Sequence, residues 1–195
     1  MTPIRTVAVF LGSSSLPPPP FHDLARAAGT ALATSGIAVV YGGASVGLMG
    51  ELADAALAAG GQVTGVIPRH LVEREIAHRG LTELVVCETM HERKAIMAAR
   101  SDAIAVLPGG FGTLDEAFEA ITWAMLGLHD KPVIFVDPPG VPYWETLQGW
   151  VRAAAENGFV GERHVGLFER VEGVPALLAR LAADHAHPRP PPKWN

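Results

Sequence analysis

Disulfide chemistry is closed to this chain, because its single cysteine, Cys87, has nothing within the chain to pair with. A reducing compartment is the simplest reading of that scarcity. Positive charge is also in short supply. The 15 Lys plus Arg stand against 20 Asp plus Glu, which excludes a strongly basic nucleic-acid footprint though not a local basic pocket. Long hydrophobic runs are missing too: the N-terminal apolar run, 7–11, is too short for a signal-peptide core, and nothing approaches a membrane span. Cys and His fall in no metal-ligand spacing. The expectation is a cytoplasmic protein with no metal, no cofactor, and neither nucleic acid nor membrane as partner.

What is present is the material of a globular α/β protein. Hydrophobic residues make up 49% and charged residues 18%, a balance that a disordered chain does not have. The 195 residues fit one domain able to enclose a sizeable core. Residues 1–186 are read as a single α/β domain and 187–195 as a proline-rich tail. Short apolar, β-branched runs at 6–11, 37–41, 62–67, 84–87, 103–107 and 132–136 predict strands. Between and after them, alanine- and leucine-rich stretches at 21–35, 48–59, 90–99, 113–126, 141–157 and 174–185 predict helices. Strand and helix in alternation imply a doubly wound parallel sheet with helices on both faces. Cys87 closes an apolar run and reads as a small buried hydrophobe. Pro17 to Pro20 form a stiff connector that either walls a pocket or simply separates two elements.

In a parallel sheet the loops after the strands gather on one edge, where open α/β folds bind ligands. Those loops read Gly12-Ser13-Ser14-Ser15, Gly42-Gly43-Ala44-Ser45-Val46-Gly47-Leu48-Met49-Gly50, Thr89-Met90-His91-Glu92-Arg93-Lys94, and Pro108-Gly109-Gly110-Phe111-Gly112-Thr113-Leu114-Asp115-Glu116. Glycine lets backbone approach a ligand, and a helix start offers N–H groups and partial positive charge. Two such turns on one edge point to a small anion or nucleotide. The spacing from Gly42 to Gly47 matches a P-loop, but Leu48-Met49 stand where Lys and Ser/Thr should follow, which argues against a magnesium-triphosphate site. The dinucleotide pattern G-x-G-x-x-G is absent as well. A monophosphate bound without metal is what remains.

Arg93 and Lys94 lie in the first turn of their helix, the wrong end for cations, so a ligand anion would compensate them. A partly solvated Arg93 beside Glu92 is the plainer alternative. Thr89 with Glu92 reads as a capping box, and so does Thr113 with Glu116. On the residues alone Glu116 is as readily a cap as a catalyst, with Asp115 competing for the catalytic role. His91 is a weak candidate. Trp123, Met125 and Leu126 read as packing residues rather than base-stacking ones.

Taken together these motifs resemble those of the LONELY GUY (LOG) family, phosphoribohydrolases once labelled lysine decarboxylases. The resemblance runs from about Val7 to Phe159. It rests on Gly12-Ser13-Ser14, Tyr41-Gly42-Gly43 through Gly50, Gly65-Val66-Ile67-Pro68, Gly80-Leu81-Thr82-Glu83-Leu84, Met90-His91-Glu92-Arg93-Lys94, Pro108 through Glu116, Thr122-Trp123 and Lys131-Pro132. It implies a Rossmann-like domain in a homodimer or larger homo-oligomer. The implied activity is hydrolysis of the N-glycosidic bond of AMP or its N6-modified forms, giving free base and ribose 5-phosphate. Carried over by position, Arg93 and Glu116 would be catalytic. Gly110, Gly112 and Thr113 would hold the phosphate, with Gly109 supporting that turn. Ser13, Ser14, Gly43, Gly47, Met90 and Lys94 complete the expected substrate-binding set. Departures from the family pattern fall at Leu11, Ala44, Met125 and the stretch Asp137 to Trp144. Two alternatives stand beside this reading. One is an AMP nucleosidase indifferent to N6 substituents; the other is a non-catalytic nucleotide or molybdenum-cofactor carrier, against which the presence of both Arg93 and Glu116 argues. No lysine context for pyridoxal chemistry is evident.

Overall fold

The computed structural model describes residues 4–72 and 76–183. The proline-rich stretch 187–195 and the end of the last predicted helix lie outside the described residues.

Seven strands form one sheet in the order β4-β3-β2-β1-β5-β6-β7, and every pairing is parallel. They are β1 Thr6–Phe10, β2 Ala38–Tyr41, β3 Val63–Pro68, β4 Glu83–Cys87, β5 Ala103–Val106, β6 Val133–Asp137 and β7 Glu169–Glu172. The central strands are hydrophobic along their whole length because both faces are covered. Their side chains alternate between two cores. Val7 and Val9 of β1 join Leu24, Leu32, Leu52 and Leu177 on one face. Ala8 and Phe10 join Met97, Ala117, Phe135 and Trp144 on the other.

The helices sort accordingly. On the first face lie α1 Pro19–Thr34, α2 Gly47–Ala58 and the last helix, α7 Gly173–Ala182. On the second lie α4 Met90–Ala99, α5 Phe111–Met125 and α6 Glu145–Glu156. A short α3, Arg69–Val72, follows β3 directly. The chain winds outward from β1 through β2, β3 and β4, then returns across the sheet to β5 and winds the other way. The strand order therefore reverses between β1 and β5, and a crevice opens there.

Most predicted elements are present, with informative shifts. Strand β7 escaped prediction because three of its four residues are charged; it is an edge strand with β6 as neighbour. Helix α6 begins at Glu145 rather than Val141, since the preceding Asp137 carboxylate accepts the Trp144 N–H at 2.8 Å and holds a turn there. Helix α1 begins at Pro19, where proline is tolerated because the first N–H groups need no helical partner. Cys87 is buried, its thiol directed to the Thr89 carbonyl at 3.5 Å, and burial pushes its pKa up. It is a core residue.

Helices α1 and α2 approach so closely that a methyl group on Gly29 would stand 2.2 Å from the Leu52 carbonyl oxygen. Backbone cannot yield as a side-chain tip can. Gly29→Ala should therefore destabilise the fold by about 1–3 kcal/mol despite its better helix propensity. A thermal melt would register this as a fall of roughly 3–10 °C, and an unchanged or raised midpoint would show that the helices can separate.

Candidate active site

A cleft of about 640 Å³ opens at the crevice between β1 and β5. Its floor is made by the turn after β1, Gly12 to Ser14, and by the turn after β5, Pro108 to Thr113. The two turns are joined by a hydrogen bond from the Gly12 N–H to the Pro108 carbonyl at 3.1 Å. They also touch: a methyl group on Gly109 would meet the Thr113 hydroxyl at 2.0 Å and the Gly12 nitrogen at 2.8 Å. Gly110 and Gly112 differ from this. A methyl group on either would meet no protein atom within 4 Å, so they leave the cleft, not a neighbour, unobstructed. Gly110 is the N-cap of α5, and the first helical bond runs from Leu114 N–H to Gly110 O at 3.0 Å. The N–H groups of Phe111, Gly112 and Thr113 thus precede the hydrogen-bond ladder and stand at the positive end of the helix.

That helix start corrects one expectation. Thr113 is the third residue of α5 rather than its N-cap, so Thr113 and Glu116 form no capping box. The Glu116 carboxylate pairs instead with Arg93 of α4, Oε1 to Nη1 at 3.1 Å. Both side chains are buried, 7% and 10% exposed, in the wall of the cleft. At Thr89 only half of the box forms: its hydroxyl accepts the Glu92 N–H at 3.1 Å, while the Glu92 carboxylate accepts the N–H of the preceding Glu88 at 2.8 Å rather than that of Thr89.

Arg93 is held on several sides. Its Nε donates to the Val66 carbonyl at 3.0 Å, and its Nη1 lies 3.8 Å from the Met90 sulfur. Gly42 makes room for the guanidinium, since a methyl group there would stand 1.8 Å from Nη2. Burial raises the pKa of Glu116, the Arg93 charge opposes that shift, and the net direction is upward. A carboxylate short of full stabilisation, facing a cleft, is poised to interact with positive charge.

A sequence profile described as possible lysine decarboxylase matches residues 49–181. A cytokinin riboside 5′-monophosphate phosphoribohydrolase of Mycobacterium tuberculosis is 47% identical over 181 residues, 91% of this chain and 93% of that protein. Its counterpart in Rhodococcoides fascians is 46% identical over 157 residues, 80% and 78% of the respective chains. The chain belongs to the LONELY GUY family. Among solved structures, the molybdenum cofactor carrier protein of Chlamydomonas reinhardtii superposes with a TM-score of 0.68 at 20% identity, covering 91% of this chain and 94% of that one. The molybdenum cofactor binding protein of Rippkaea orientalis gives 0.67 at 20%, with the same coverage. These two share the fold.

Of the residues matched to the LONELY GUY pattern, Ser13, Ser14, Arg93, Gly109, Gly110, Gly112, Thr113 and Glu116 all line the cleft. Four others do not. Gly43, with φ of +75°, packs against β3 at Val66 and Ile67. Gly47, with φ of +56°, presses against the Ser13–Ser14 backbone, where a methyl group would be 2.2 Å from the Ser13 oxygen. Both shape the site from behind. Met90 contacts it through Arg93. Lys94 points elsewhere: its ammonium pairs with Asp115 at 2.9 Å and Glu119 at 3.1 Å, clamping α4 to α5. Burial alone would lower the Lys94 pKa; the two carboxylates outweigh it and hold it above the ordinary value. The same clamp engages Asp115, which is 60% exposed and does not line the cleft. Residue reading missed the apolar wall, formed by Phe21, Leu48, Met49 and Tyr143. Pro17 and Pro18 do wall the cleft, with His22 bridging the Pro17 carbonyl at 2.9 Å and Glu51 at 2.7 Å.

Gly42→Ala should fold, because the atoms it meets are the ends of Arg93 and Met49, but it should push the guanidinium off Glu116. The Glu116 titration, followed by carbon-detected NMR of its carboxyl, should then move further upward, since the Arg93 charge opposes that direction. An unmoved titration would mean that Gly42 does not hold the pair in place.

Proposed function

We propose that the chain hydrolyses the N-glycosidic bond of adenosine 5′-monophosphate or of N6-modified adenosine 5′-monophosphates, releasing the free base and ribose 5-phosphate. The observation that carries this reading is the buried Arg93–Glu116 pair beside an open helix start in one cleft. The phosphate would rest on the N–H groups of Gly110, Phe111, Gly112 and Thr113 and on the Thr113 hydroxyl, with Ser13 and Ser14 opposite. Glu116 lies three residues further along α5, a rise of about 4.5 Å, and helical side chains lean back toward the N-terminus. That offset is of ribose size. Phe21, Leu48, Met49 and Tyr143 supply an apolar wall suited to a base.

The chemistry follows from where charge develops. As the bond from C1′ to the base nitrogen breaks, its electrons leave with the base and positive charge spreads over the ribose ring. The Glu116 carboxylate stabilises that charge and orients the water that adds to C1′, and the proton this water gives up balances the one that the departing base nitrogen takes on. Arg93 keeps Glu116 aimed and offers its remaining N–H groups to the departing base or the phosphate. A fixed charge aimed at a developing one in a site of low dielectric is commonly the largest catalytic contribution.

A pyridoxal-dependent decarboxylation, which the profile's description would suggest, lacks its lysine among the described residues. Lys94 is held protonated by two carboxylates outside the cleft. Lys131 caps α4 through the Ala98 carbonyl. A Schiff base requires a neutral amine within the site. The same proposal takes the chain as a homodimer or larger, supported by two exposed aromatics, Phe111 (93% exposed) on α5 and Trp150 (57%) on α6, the latter edge-on to Phe118. A cytoplasmic location accords with the buried lone thiol. No helix among the described residues is long and apolar enough to cross a membrane.

Incubation with AMP and with its N6-isopentenyl derivative, followed by product chromatography, should release base and ribose 5-phosphate from at least one of them; silence with both would sink the assignment. Glu116→Gln should keep AMP affinity within a few fold while kcat falls by roughly 10²-fold or more. The pH dependence has a definite sign. A raised pKa means that Glu116 ionises only above the ordinary carboxylate range, about 4.3 for a free Glu. If the carboxylate is the active form, the acid limb of kcat/KM lies above that range and activity rises through it. The same shift makes the folded state bind this proton more tightly than the unfolded chain, so its contribution to stability is lost as pH rises through the folded value. An acid limb at or below the free-Glu range would remove Glu116 from the role.

A further inference from the structure

We propose that Tyr143 is a positioning residue for the anion-binding turn, acting through the backbone of Gly109. This rests on the reading that Gly110 to Thr113 receive a phosphate. The Tyr143 hydroxyl donates to the Gly109 carbonyl at 2.7 Å. In a trans peptide the carbonyl and the next N–H point in opposite directions, so fixing the Gly109 oxygen fixes the Gly110 N–H as well. That peptide needs such a restraint. It joins two glycines, whose backbone freedom is the greatest of any residue, and Gly110 has no steric neighbour to hold it.

The loop that delivers Tyr143 is built to be stiff. Pro138, Pro139 and Pro142 fix three φ angles. Hydrogen bonds run from Val141 N–H to Pro138 O at 3.0 Å and from Gly140 N–H to the Glu172 carboxylate at 3.0 Å. Trp144, buried at 4% exposure, anchors the next position edge-on against Phe135 at 5.0 Å and donates its backbone N–H to Asp137. The Tyr143 ring packs edge-on to Trp144 at 4.7 Å on one side and to Phe21 at 5.6 Å on the other. The hydroxyl is thus carried on a rigid mount from β6 across the cleft mouth to the β5–α5 turn.

Tyr143→Phe keeps the ring and its two edge contacts and removes the hydroxyl. Calorimetry with ribose 5-phosphate should show affinity weakened about fivefold or more, the scale of one hydrogen bond, while adenine binds as to wild type. With AMP, KM should rise in the same proportion and kcat fall less than twofold, because the phosphate is held alike in ground and transition states. A thermal midpoint near that of wild type would separate this from unfolding. Unchanged ribose 5-phosphate affinity and KM in the variant would overturn the proposal alone. Equal weakening of adenine and ribose 5-phosphate would reduce Tyr143 to a packing residue and overturn it too. Failure of the wild-type protein to bind ribose 5-phosphate would instead remove the phosphate reading on which it stands, and the proposal with it.

Discussion

The site depends on a buried ion pair that spans the reversal point of the sheet. Arg93 comes from the helix that returns across the sheet, Glu116 from the first helix of the second half, and they meet over the glycines that follow β1 and β2. Burying two charges is costly unless each finds good partners. The surrounding structure can be read as the supply of those partners: the Val66 carbonyl for Nε, the space at Gly42 for Nη2, and a capped, firmly started α4 beneath. Desolvation still dominates at Glu116, so the carboxylate is left less stable than in water. The fold thus holds a charge in a state that a cationic transition state would relieve.

Much of this was legible in the residues because it follows from local rules. Continuous runs such as Ile37-Ala38-Val39-Val40 declare a strand covered on both faces, and alternation with helices declares the parallel sheet and its ligand edge. Convergence of the glycine-rich turns with Arg93 and Glu116 then follows from topology. What was not legible is non-local or depends on which side of a helix a residue faces. Lys94 follows Arg93 by one residue, which turns it by about 100° around the helix and toward α5. Gly43 and Gly47 share composition with a phosphate loop, yet their neighbours are β3 and the Ser13–Ser14 backbone. The capping-box pattern at Thr113 misled because α5 starts two residues earlier, at Phe111, with Gly110 as its N-cap in a turn that lines the cleft. Phe21 and Tyr143 lie far apart in sequence, and no spacing rule joins them.

The likeness to the two molybdenum cofactor proteins, at 20% identity, is one of fold. A reversal point in a parallel sheet provides backbone donors and a crevice, whatever the ligand. What gives such a crevice its chemistry is the side chains set over it. In this chain those are a paired arginine and glutamate on one side and an aromatic and aliphatic wall on the other.

The contact at Gly29 has a consequence for how such a protein can diversify. With α1 and α2 locked backbone to backbone, the half of the crevice carrying Phe21, Leu48 and Met49 behaves as a single slab whose height cannot be adjusted residue by residue. Latitude for accepting bulkier or smaller molecules is therefore concentrated in the connector between β6 and α6, whose Tyr143 meets Phe21 edge-on. Exchanges in that connector would alter the cleft together with the Tyr143 hold on the β5–α5 turn, while leaving the Arg93–Glu116 pair untouched.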